Sequence, residues 1–326
     1  MQVQSNFNNY RIAAVIPAYR VESQIESVLC GLPDYLHSII VVDDASPDGT
    51  SALVTRLASR DSRIVLIRHE RNQGVGAAMV TGFRKALEIG AQVVVKIDGD
   101  GQMSPEYLPA LLSPLILGKA DYTKGNRFRD FESLRRMPLI RRIGNMGLSF
   151  MTKAASGYWT CFDPTNGFFA IRTEVLARLP LEWIDRGYFF ETSMLSQLYL
   201  LDAFVMDIPI PARYRGETSS LSIRRVLFEF PYKLLATFLR RLTLKYYLYD
   251  FSMMSVYLLV GVPLLLFGFI FGSIKWIQYA EIGVAAPTGT VILPTLSLIL
   301  GIQFLLSAIE IDMNSVPRQP LTTALE

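Results

Sequence analysis

Two uncharged apolar stretches near the C-terminus, Met253–Ile274 and Gly289–Ile309, constrain the fold of this chain more than any other feature. Each has about the 20 residues that an α-helix needs to cross the hydrocarbon core of a bilayer. Stretches of this length without a charge are rare in soluble folds, where they would form two buried core helices. Both stretches are therefore predicted to be transmembrane helices.

The charge and cysteine content of the chain excludes several classes of function. A net charge of +3 gives no case for nucleic-acid binding. Cys30 and Cys161 form neither a disulfide framework nor a metal-binding spacing, so both are predicted to be free thiols in a reducing compartment. His37 and His69 are too isolated to suggest a zinc site. Catalytic groups are therefore expected among the carboxylates.

Charges on either side of the two stretches predict their orientation. Residues 275–288 carry one lysine and one glutamate. Residues 222–250 carry six cations: Arg224, Arg225, Lys233, Arg240, Arg241 and Lys245. The positive-inside rule then puts the preceding domain in the cytoplasm, and the polar start of the chain lacks a signal-peptide pattern. The predicted organisation is a cytoplasmic domain at 1–221, a membrane-surface segment at 222–250, a two-helix anchor at 251–316 and a cytoplasmic tail at 317–326.

The membrane-surface segment is predicted from its mixture of cations with leucine, phenylalanine and tyrosine. Helices of this type lie in the headgroup plane, with their cations near anionic lipid. The alternative is a solvated charged helix, which would leave the apolar side chains without burial. Pro231 is expected to divide the segment into two shorter helices.

Upstream of this segment, short apolar runs alternate with helical patterns. The predicted strands are Ile12–Ile16, Ser38–Val42, Ile64–Ile67 and Gln92–Ile97. The predicted helices between them are Glu22–Leu32, Thr50–Ser59 and Val75–Gly90. This alternation predicts an α/β fold with a mostly parallel sheet that is covered by helices on both faces.

An acidic motif, Asp98-Gly99-Asp100, follows the fourth predicted strand. Parallel sheets bind their ligands at the carboxyl edge, and carboxylate oxygens suit a hard cation such as Mg²⁺ or Mn²⁺. A cation held there can neutralise a departing diphosphate. The competing interpretation is an ordinary acidic turn, because Asp-Gly pairs are common in turns.

Polar side chains also follow the first two predicted strands. Asp43 and Asp44 can accept hydrogen bonds from a base or a ribose, whereas Asp48 or Thr50 can cap the next helix. Tyr19 is placed to line a base pocket. These strand ends therefore predict a nucleotide site beside the acidic motif.

Taken in order, these motifs resemble those of the family 2 glycosyltransferases, which have the Rossmann-like GT-A fold. The motifs that carry the resemblance are Ile16-Pro17-Ala18-Tyr19 with Glu22, Val42-Asp43-Asp44 with Ser46 and Asp48, Asn72-Gln73-Gly74 with Gly76, Asp98-Gly99-Asp100, Gly125-Asn126-Arg127, Asp163-Pro164-Thr165-Asn166-Gly167-Phe168 and Phe189-Phe190-Glu191. With the two C-terminal spans, the chain looks like the dolichol- or polyprenyl-phosphate sugar synthase branch over nearly its whole length.

The resemblance implies a nucleotide-sugar site that contains a divalent cation. The residues implied to hold the donor are Pro17, Ala18, Tyr19, Glu22, Asp43 or Asp44, Gly74 and Gly99. The residues implied to hold Mg²⁺ or Mn²⁺ and the diphosphate are Asp98, Asp100 and Gln102. Arg20 stands where the family usually has asparagine. This departure affects how the residue contacts the donor and does not affect the predicted fold.

The branch also implies a basic loop that closes on the donor and acceptor phosphates, here residues 213–221 with Arg213 and Arg215. A structural salt-bridge loop is the alternative. Arg127, expected in a turn after a strand, is either a further phosphate ligand or an ordinary surface residue.

The implied reaction is a single inverting displacement at the anomeric carbon of the donor sugar. A phosphomonoester acceptor, with a second pKa near ~6, is already largely ionised at neutral pH and needs no strong general base. Asp163 and Glu191 are then expected to orient other groups, whereas with a hydroxyl acceptor either one would serve as the base.

Two alternative functions compete with transfer to a lipid phosphate. A processive polysaccharide synthase is disfavoured, because the chain lacks the Gln-x-x-Arg-Trp motif and the additional spans of such enzymes. A non-catalytic membrane scaffold is disfavoured by the intact acidic pairs. The expected partners are a UDP- or GDP-sugar, a polyprenyl phosphate and membrane lipids at a bacterial inner membrane or its equivalent, and the spans offer a surface for a homo-oligomer.

Overall fold

The computed structural model describes residues 4–126, 139–161, 163, 166–210 and 223–321. The chain divides into two compact units. The first contains residues 1–238 together with 317–326, and the second contains residues 239–316. The division falls inside the segment at 222–250.

The first unit is an α/β domain. The strands described in it are β1 (Ile12–Ala18), β2 (Ser38–Asp43), β3 (Ile64–Arg68), β4 (Val93–Lys96), β5 (Tyr122–Asn126), β6 (Phe169–Arg172) and β7 (Val205–Pro209). Its helices are α1 (Glu22–Cys30), α2 (Thr50–Ala58), α3 (Val75–Glu88), α4 (Leu108–Ile116), α5 (Leu139–Ser156), α6 (Thr173–Leu176), α7 (Phe190–Leu200) and the first part of α8 (Ile223–Thr243). Short 3₁₀ turns lie at Gln4–Asn9, Pro105–Tyr107 and Leu181–Trp183.

The strands form one sheet in the order β3-β2-β1-β4-β6-β5-β7. β3, β2, β1 and β4 are mutually parallel, β6 is antiparallel to β4 and β5, and β5 is parallel to β7. The predicted mostly parallel sheet is therefore confirmed. The bounds of its first four strands differ from the predicted ones by at most two residues.

Both faces of the sheet are covered, as strands that are apolar on both sides require. One face packs on α1, α2 and α4 through a continuous core of buried aliphatic side chains. On the other face α3 approaches closely, because a Cβ atom at Gly82 would lie 2.2 Å from Cγ1 of Val15. Gly82 thus lets the helix backbone lie directly on β1.

The second unit contains α9 (Met253–Ile282) and α10 (Thr288–Asn314), preceded by a π-helical turn at Leu244–Tyr249. With mean hydropathies of 2.3 and 2.1, both helices are long and apolar enough to cross a membrane. Glycines allow them to pack closely, since a Cβ atom at Gly268 would lie 2.8 Å from Cγ of Leu298.

The connection between these two helices is shorter than the predicted loop at 275–288. α9 extends through Lys275 to Ile282, and Gly283 ends it in the left-handed conformation with φ of 68°. A left-handed glycine is a common helix terminator. The connection is therefore Gly283–Pro287, and the polar residues expected in a loop at 275–282 instead form the last turns of a helix.

The break expected at Pro231 is absent, and that prediction is wrong, because α8 runs from Ile223 to Thr243 without interruption. Proline removes one backbone hydrogen bond from a helix. Contacts just beyond it hold the helix in place: Nζ of Lys233 lies 2.6 Å from Oδ2 of Asp185, and Leu234 is buried in a small apolar cluster. These contacts oppose the local cost of the proline.

Candidate active site

The carboxyl edge of the sheet gathers most of the predicted site. Ala18 pairs with Asp43 and Val15 with Lys96, so β1, β2 and β4 end side by side. Because β6 is antiparallel, its first residue, Phe169, lies beside Lys96 at the same edge. The described residues of the motifs at the ends of β1, β2, β4 and β5, and of the motif that precedes β6, therefore converge there.

A buried lysine occupies the centre of this edge. Nζ of Lys96, the last residue of β4, lies 2.6 Å from Oδ1 of Asp98 and 3.7 Å from Oε1 of Glu191 at the start of α7. Lys96 is 2% exposed, whereas the Asp98 side chain remains 32% exposed. Gly167 allows this arrangement, because a Cβ atom there would lie 2.4 Å from Nζ of Lys96.

The two buried members of this cluster shift each other's pKa. Burial alone would lower the pKa of the Lys96 ammonium, but the carboxylates of Asp98 and Glu191 outweigh it and raise the pKa. Burial raises the pKa of the Glu191 carboxyl, and Lys96 and Lys124 oppose this increase. Lys96 thus remains a fixed cation beneath Asp98. The sequence pattern alone indicates no role for Lys96.

The acidic motif offers a partial set of metal ligands. Asp98 presents its partly exposed carboxylate at the edge, and Oδ1 of Asp100 accepts a hydrogen bond from the backbone N–H of Gln102 at 3.0 Å. Among the residues that the structure describes, no three His, Cys, Asp or Glu side chains lie close enough to hold a metal ion by themselves. Two carboxylates fit a hard cation that takes its remaining ligands from water and phosphate.

The two adjacent carboxylates after β2 have different environments. Asp43 is fully buried, and its Oδ1 accepts a hydrogen bond from the N–H of Ser46 at 2.9 Å. Its Oδ2 has no hydrogen-bond partner among the described residues, and Nε of Arg68 lies 3.7 Å away. A buried acceptor without a donor is costly, so Asp43 has capacity for a ligand N–H or O–H.

Asp44, by contrast, holds the loop before α3. Its Oδ1 lies 2.7 Å from Nδ1 of His69 and accepts a hydrogen bond from the N–H of Gln73, and its Oδ2 accepts one from the N–H of Gly74. Gly74 has φ of +96°, and a Cβ atom there would lie 2.5 Å from the carbonyl oxygen of Arg186. Asp44 and Gly74 therefore shape the wall of the site through the backbone.

Glu22 and Asp48 join the first two helices. Oε2 of Glu22 accepts a hydrogen bond from the N–H of Gly49, just before α2, at 2.8 Å. Oδ2 of Asp48 in turn accepts one from the N–H of Glu22, at the start of α1, at 3.3 Å. Each carboxylate satisfies a donor at the other helix's N-terminus, where negative charge is favourable.

The turn after β1 presents a tyrosine to solvent. Tyr19 is exposed, and the guanidinium of Arg20 lies 5.3 Å from the centre of its ring. Arg20 has φ of +56°, a conformation in which asparagine is several-fold enriched among residues other than glycine. On the neighbouring strand end, a Cβ atom at Gly99 would lie 3.4 Å from the carbonyl oxygen of Pro17, so the two motifs are in contact.

A second buried polar cluster lies beside the first, along β5. Nζ of Lys124 donates a hydrogen bond to the carbonyl oxygen of Asn166, and burial lowers the pKa of Lys124. Asp163 is fully buried, and the N–H of Asn166 bonds to its carbonyl oxygen. The predicted Asp163 and Glu191 both lie near Lys124, a lysine that no sequence motif indicates.

For three predicted phosphate ligands the structure gives no position. Arg127, Arg213 and Arg215 lie outside the residues that the structure describes. Their roles stay predictions from sequence.

The two cysteines are expected to differ sharply in reactivity. Cys30 is exposed, whereas Cys161 is buried with its Sγ 3.3 Å from Oδ1 of Asp207. Burial and then the Asp207 carboxylate raise the pKa of the Cys161 thiol, so it stays protonated and inert at pH 8. A thiol reagent should modify one cysteine in the native protein and two after unfolding, whereas fast modification of both in the native state would contradict this arrangement.

The fold is that of the GT-A glycosyltransferases. Glucosyl-3-phosphoglycerate synthase from Mycobacterium tuberculosis, solved with Mn²⁺, UDP and glucosyl-3-phosphoglycerate, superposes with a TM-score of 0.53. The match covers 73% of this chain and 82% of that one at 21% identity, a level that shows the fold alone.

Within this class, the chain belongs to glycosyl transferase family 2, whose model matches residues 13–179. UDP-N-acetylglucosamine–dolichyl-phosphate N-acetylglucosaminyltransferase of Methanococcus voltae is 34% identical over 178 residues, which cover 51% of this chain and 70% of the relative. Polyprenol monophosphomannose synthase of Mycolicibacterium smegmatis is 33% identical over 197 residues, with coverages of 59% and 74%.

Proposed function

We propose that this protein transfers a sugar from a nucleotide-sugar to a polyprenyl phosphate at the cytoplasmic face of a membrane. The observation that carries the proposal is the position of Asp98. Its carboxylate lies at the carboxyl edge of the sheet, fixed by buried Lys96 and only partly covered. It stands between the nucleoside motifs of β1 and β2 and the buried cluster along β5.

The donor side would use Asp43 for the nucleoside and Asp98 with Asp100 for a divalent cation. Bound there, Mg²⁺ or Mn²⁺ would supply charge neutralisation for the leaving diphosphate. The resemblance adds Gln102 as a candidate ligand. UDP is favoured over GDP, since relatives by name or structure use UDP-N-acetylglucosamine or bind UDP with Mn²⁺.

The acceptor side follows from the chemistry of a phosphate monoester. The acceptor oxygen is largely ionised at neutral pH and attacks the anomeric carbon as the nucleoside diphosphate leaves. Glu191 faces Lys96 at 3.7 Å, so it would orient the lysine rather than remove a proton. Positioning and electrostatic stabilisation are then the main contributions of the protein. The names of both relatives support an acceptor of this class.

The route of the chain supports two crossings of the membrane. After α9 and α10, the tail rejoins the first unit, where the backbone N–H of Leu321 donates a hydrogen bond to Oδ2 of Asp121 at 2.9 Å. A chain that leaves a domain and returns to it must cross a bilayer an even number of times. The cations of residues 222–250 favour the cytoplasm as the side of the domain.

Purified protein incubated with labelled UDP- and GDP-sugars and undecaprenyl phosphate tests this function. A labelled lipid is expected, and its formation should stop with a chelator and resume with Mn²⁺ or Mg²⁺. Replacing undecaprenyl phosphate by undecaprenol distinguishes transfer to a phosphate oxygen from transfer to a hydroxyl group. Transfer to the alcohol but not to the phosphate, or no transfer with any donor, would overturn the proposal.

Replacing Lys96 with methionine should destabilise the domain by about 1–3 kcal/mol, because the Asp98 and Glu191 carboxylates would lose the buried ammonium group that lies close to both. If Lys96 and the divalent cation act on the same carboxylate, Mn²⁺ should raise the unfolding midpoint of Lys96→Met more than that of the wild type. Thermal unfolding in detergent measures both effects. An unchanged midpoint in Lys96→Met would show that the lysine does not hold Asp98.

A further inference from the structure

Helix α5 of the first unit has an outward face made of large apolar side chains. Met146 is 65% exposed, Phe150 is 61% exposed, and Met151 is also exposed. Among the α5 residues whose side chains the structure describes, none of the exposed ones is charged. A helix that faces water normally presents polar residues on its outer side, so water is a poor partner for this face.

An aromatic pair extends the same face beyond the end of the helix. The Phe150 ring lies 5.5 Å from the ring of Trp159 in an edge-to-face arrangement. Trp159 is partly exposed, and Lys153 is partly exposed on the last turn of α5. Tryptophan and lysine beside exposed apolar side chains are typical of surfaces at the boundary between lipid headgroups and acyl chains.

The inner face of α5 shares a small core with α8. Ala155 packs with Phe189 and with Leu234 of α8 in one buried cluster. On this stretch of α8, Tyr232 and Leu235 remain exposed. Two helices that are joined by one core thus both leave apolar side chains uncovered, and α8 is the helix that the sequence assigns to the membrane surface.

We propose that the outward face of α5, formed by Met146, Phe150 and Met151 with Trp159, docks on the bilayer and inserts into its headgroup-acyl boundary. The lipid surface is the partner because the same chain contains helices that can anchor it to a membrane. α8 is followed within ten residues by α9, the first helix long and apolar enough to span a membrane. Tethering keeps a bilayer at high effective concentration near this face.

This docking surface rests on the proposed membrane anchoring but not on the sugar-transfer chemistry. It would give the catalytic domain a second contact with lipid besides α8. Two contacts fix the orientation of a domain on a surface, whereas one leaves it free to tilt. The edge of the sheet would then be held at a constant height above the headgroups.

Spin-label accessibility in the full-length protein, reconstituted in phosphatidylethanolamine–phosphatidylglycerol vesicles, tests the proposal. Met146→Cys and Phe150→Cys, each in a Cys30→Ser background, carry a nitroxide, and buried Cys161 stays unlabelled. Leu117→Cys is the matched control, because Leu117 is an apolar residue, 57% exposed, that follows the C-terminus of α4. Leu266→Cys, an exposed position in α9, marks the lipid interior.

The measured quantity is the relaxation of the nitroxide by oxygen divided by its relaxation by a water-soluble nickel chelate. This ratio is expected to be several-fold higher for labels at positions 146, 150 and 266 than for the label at position 117. If the label at position 266 has the high ratio of a lipid-exposed site while the labels at positions 146 and 150 have the same ratio as the label at position 117, α5 does not dock, although the anchor does insert. If 266 also matches 117, the membrane anchoring itself fails. If 146 and 150 are shielded from both reagents, with broadening that disappears on dilution with unlabelled protein, a second copy covers the face and the proposal is overturned.

Discussion

Replacing Asp98 with asparagine is expected to lower sugar transfer by at least about 10³-fold while the protein stays folded and membrane-bound. A divalent cation stabilises the negative charge on a departing diphosphate by several kcal/mol. A change of about 1.4 kcal/mol in the activation free energy changes the rate tenfold. Asparagine keeps the shape of the side chain but removes the negative charge that would hold the cation. The loss should appear in kcat, because charge on the leaving group develops in the transition state.

Asp34→Asn is the matched control, since the Asp34 side chain is fully exposed and Nη1 of Arg63 lies 3.7 Å from its carboxylate. This variant should transfer sugar at the wild-type rate. Steady-state rates with saturating donor and acceptor, at several Mn²⁺ concentrations, measure both variants. If Asp98→Asn kept wild-type transfer and wild-type metal dependence, Asp98 would have no part in the chemistry.

Replacing Arg241 with methionine is expected to destabilise the second unit by about 3–5 kcal/mol. Arg241 is fully buried and donates two hydrogen bonds to Asp312 at the end of α10, at 2.6 and 2.9 Å. Oη of Tyr246 donates a third to the same carboxylate at 2.7 Å. Without the guanidinium, the Asp312 carboxylate would stay buried with its charge uncompensated.

The double variant Arg241→Met/Asp312→Leu separates the worth of the pair from the cost of breaking it. A buried ion pair that is replaced as a whole by apolar residues often costs little, so the double variant should be clearly more stable than Arg241→Met. Unfolding free energies in mixed micelles measure the three proteins. A double variant less stable than either single variant would show that the pair itself, and not the uncompensated charge, carries the stability.

The fold of the first unit was accessible from sequence because each strand is a short apolar run that ends in a polar turn. That pattern placed β1 to β4 within two residues, and the order of strand ends predicted one shared edge. The antiparallel insertion of β6 between β4 and β5 was not predicted, because it depends on pairing between strands distant in sequence. The continuity of α8 through Pro231 likewise depends on contacts with residues remote in sequence, such as Asp185.

The motifs of the candidate site were predictable from sequence, but the hydrogen-bond and ion-pair partners of their individual side chains were not. Sequence could not distinguish Asp43 from Asp44, because the difference arises from His69 and Gln73, whose hydrogen bonds to a side-chain carboxylate go to Asp44. Nor could it identify Lys96 as the cation beneath Asp98, because a lysine at the end of a strand gives no signal of burial. Arg20 is a clearer case, since its left-handed backbone explains why asparagine suits that position.

Calorimetric titration of UDP and of GDP into the purified protein, with and without Mn²⁺, tests the central claim most directly. One nucleotide should bind tightly only when Mn²⁺ is present, and Asp98→Asn should lose this metal-dependent increase in affinity while Asp34→Asn keeps it. Equal affinity with and without Mn²⁺, or an unchanged metal effect in Asp98→Asn, would contradict a cation held by Asp98 at the edge of the sheet.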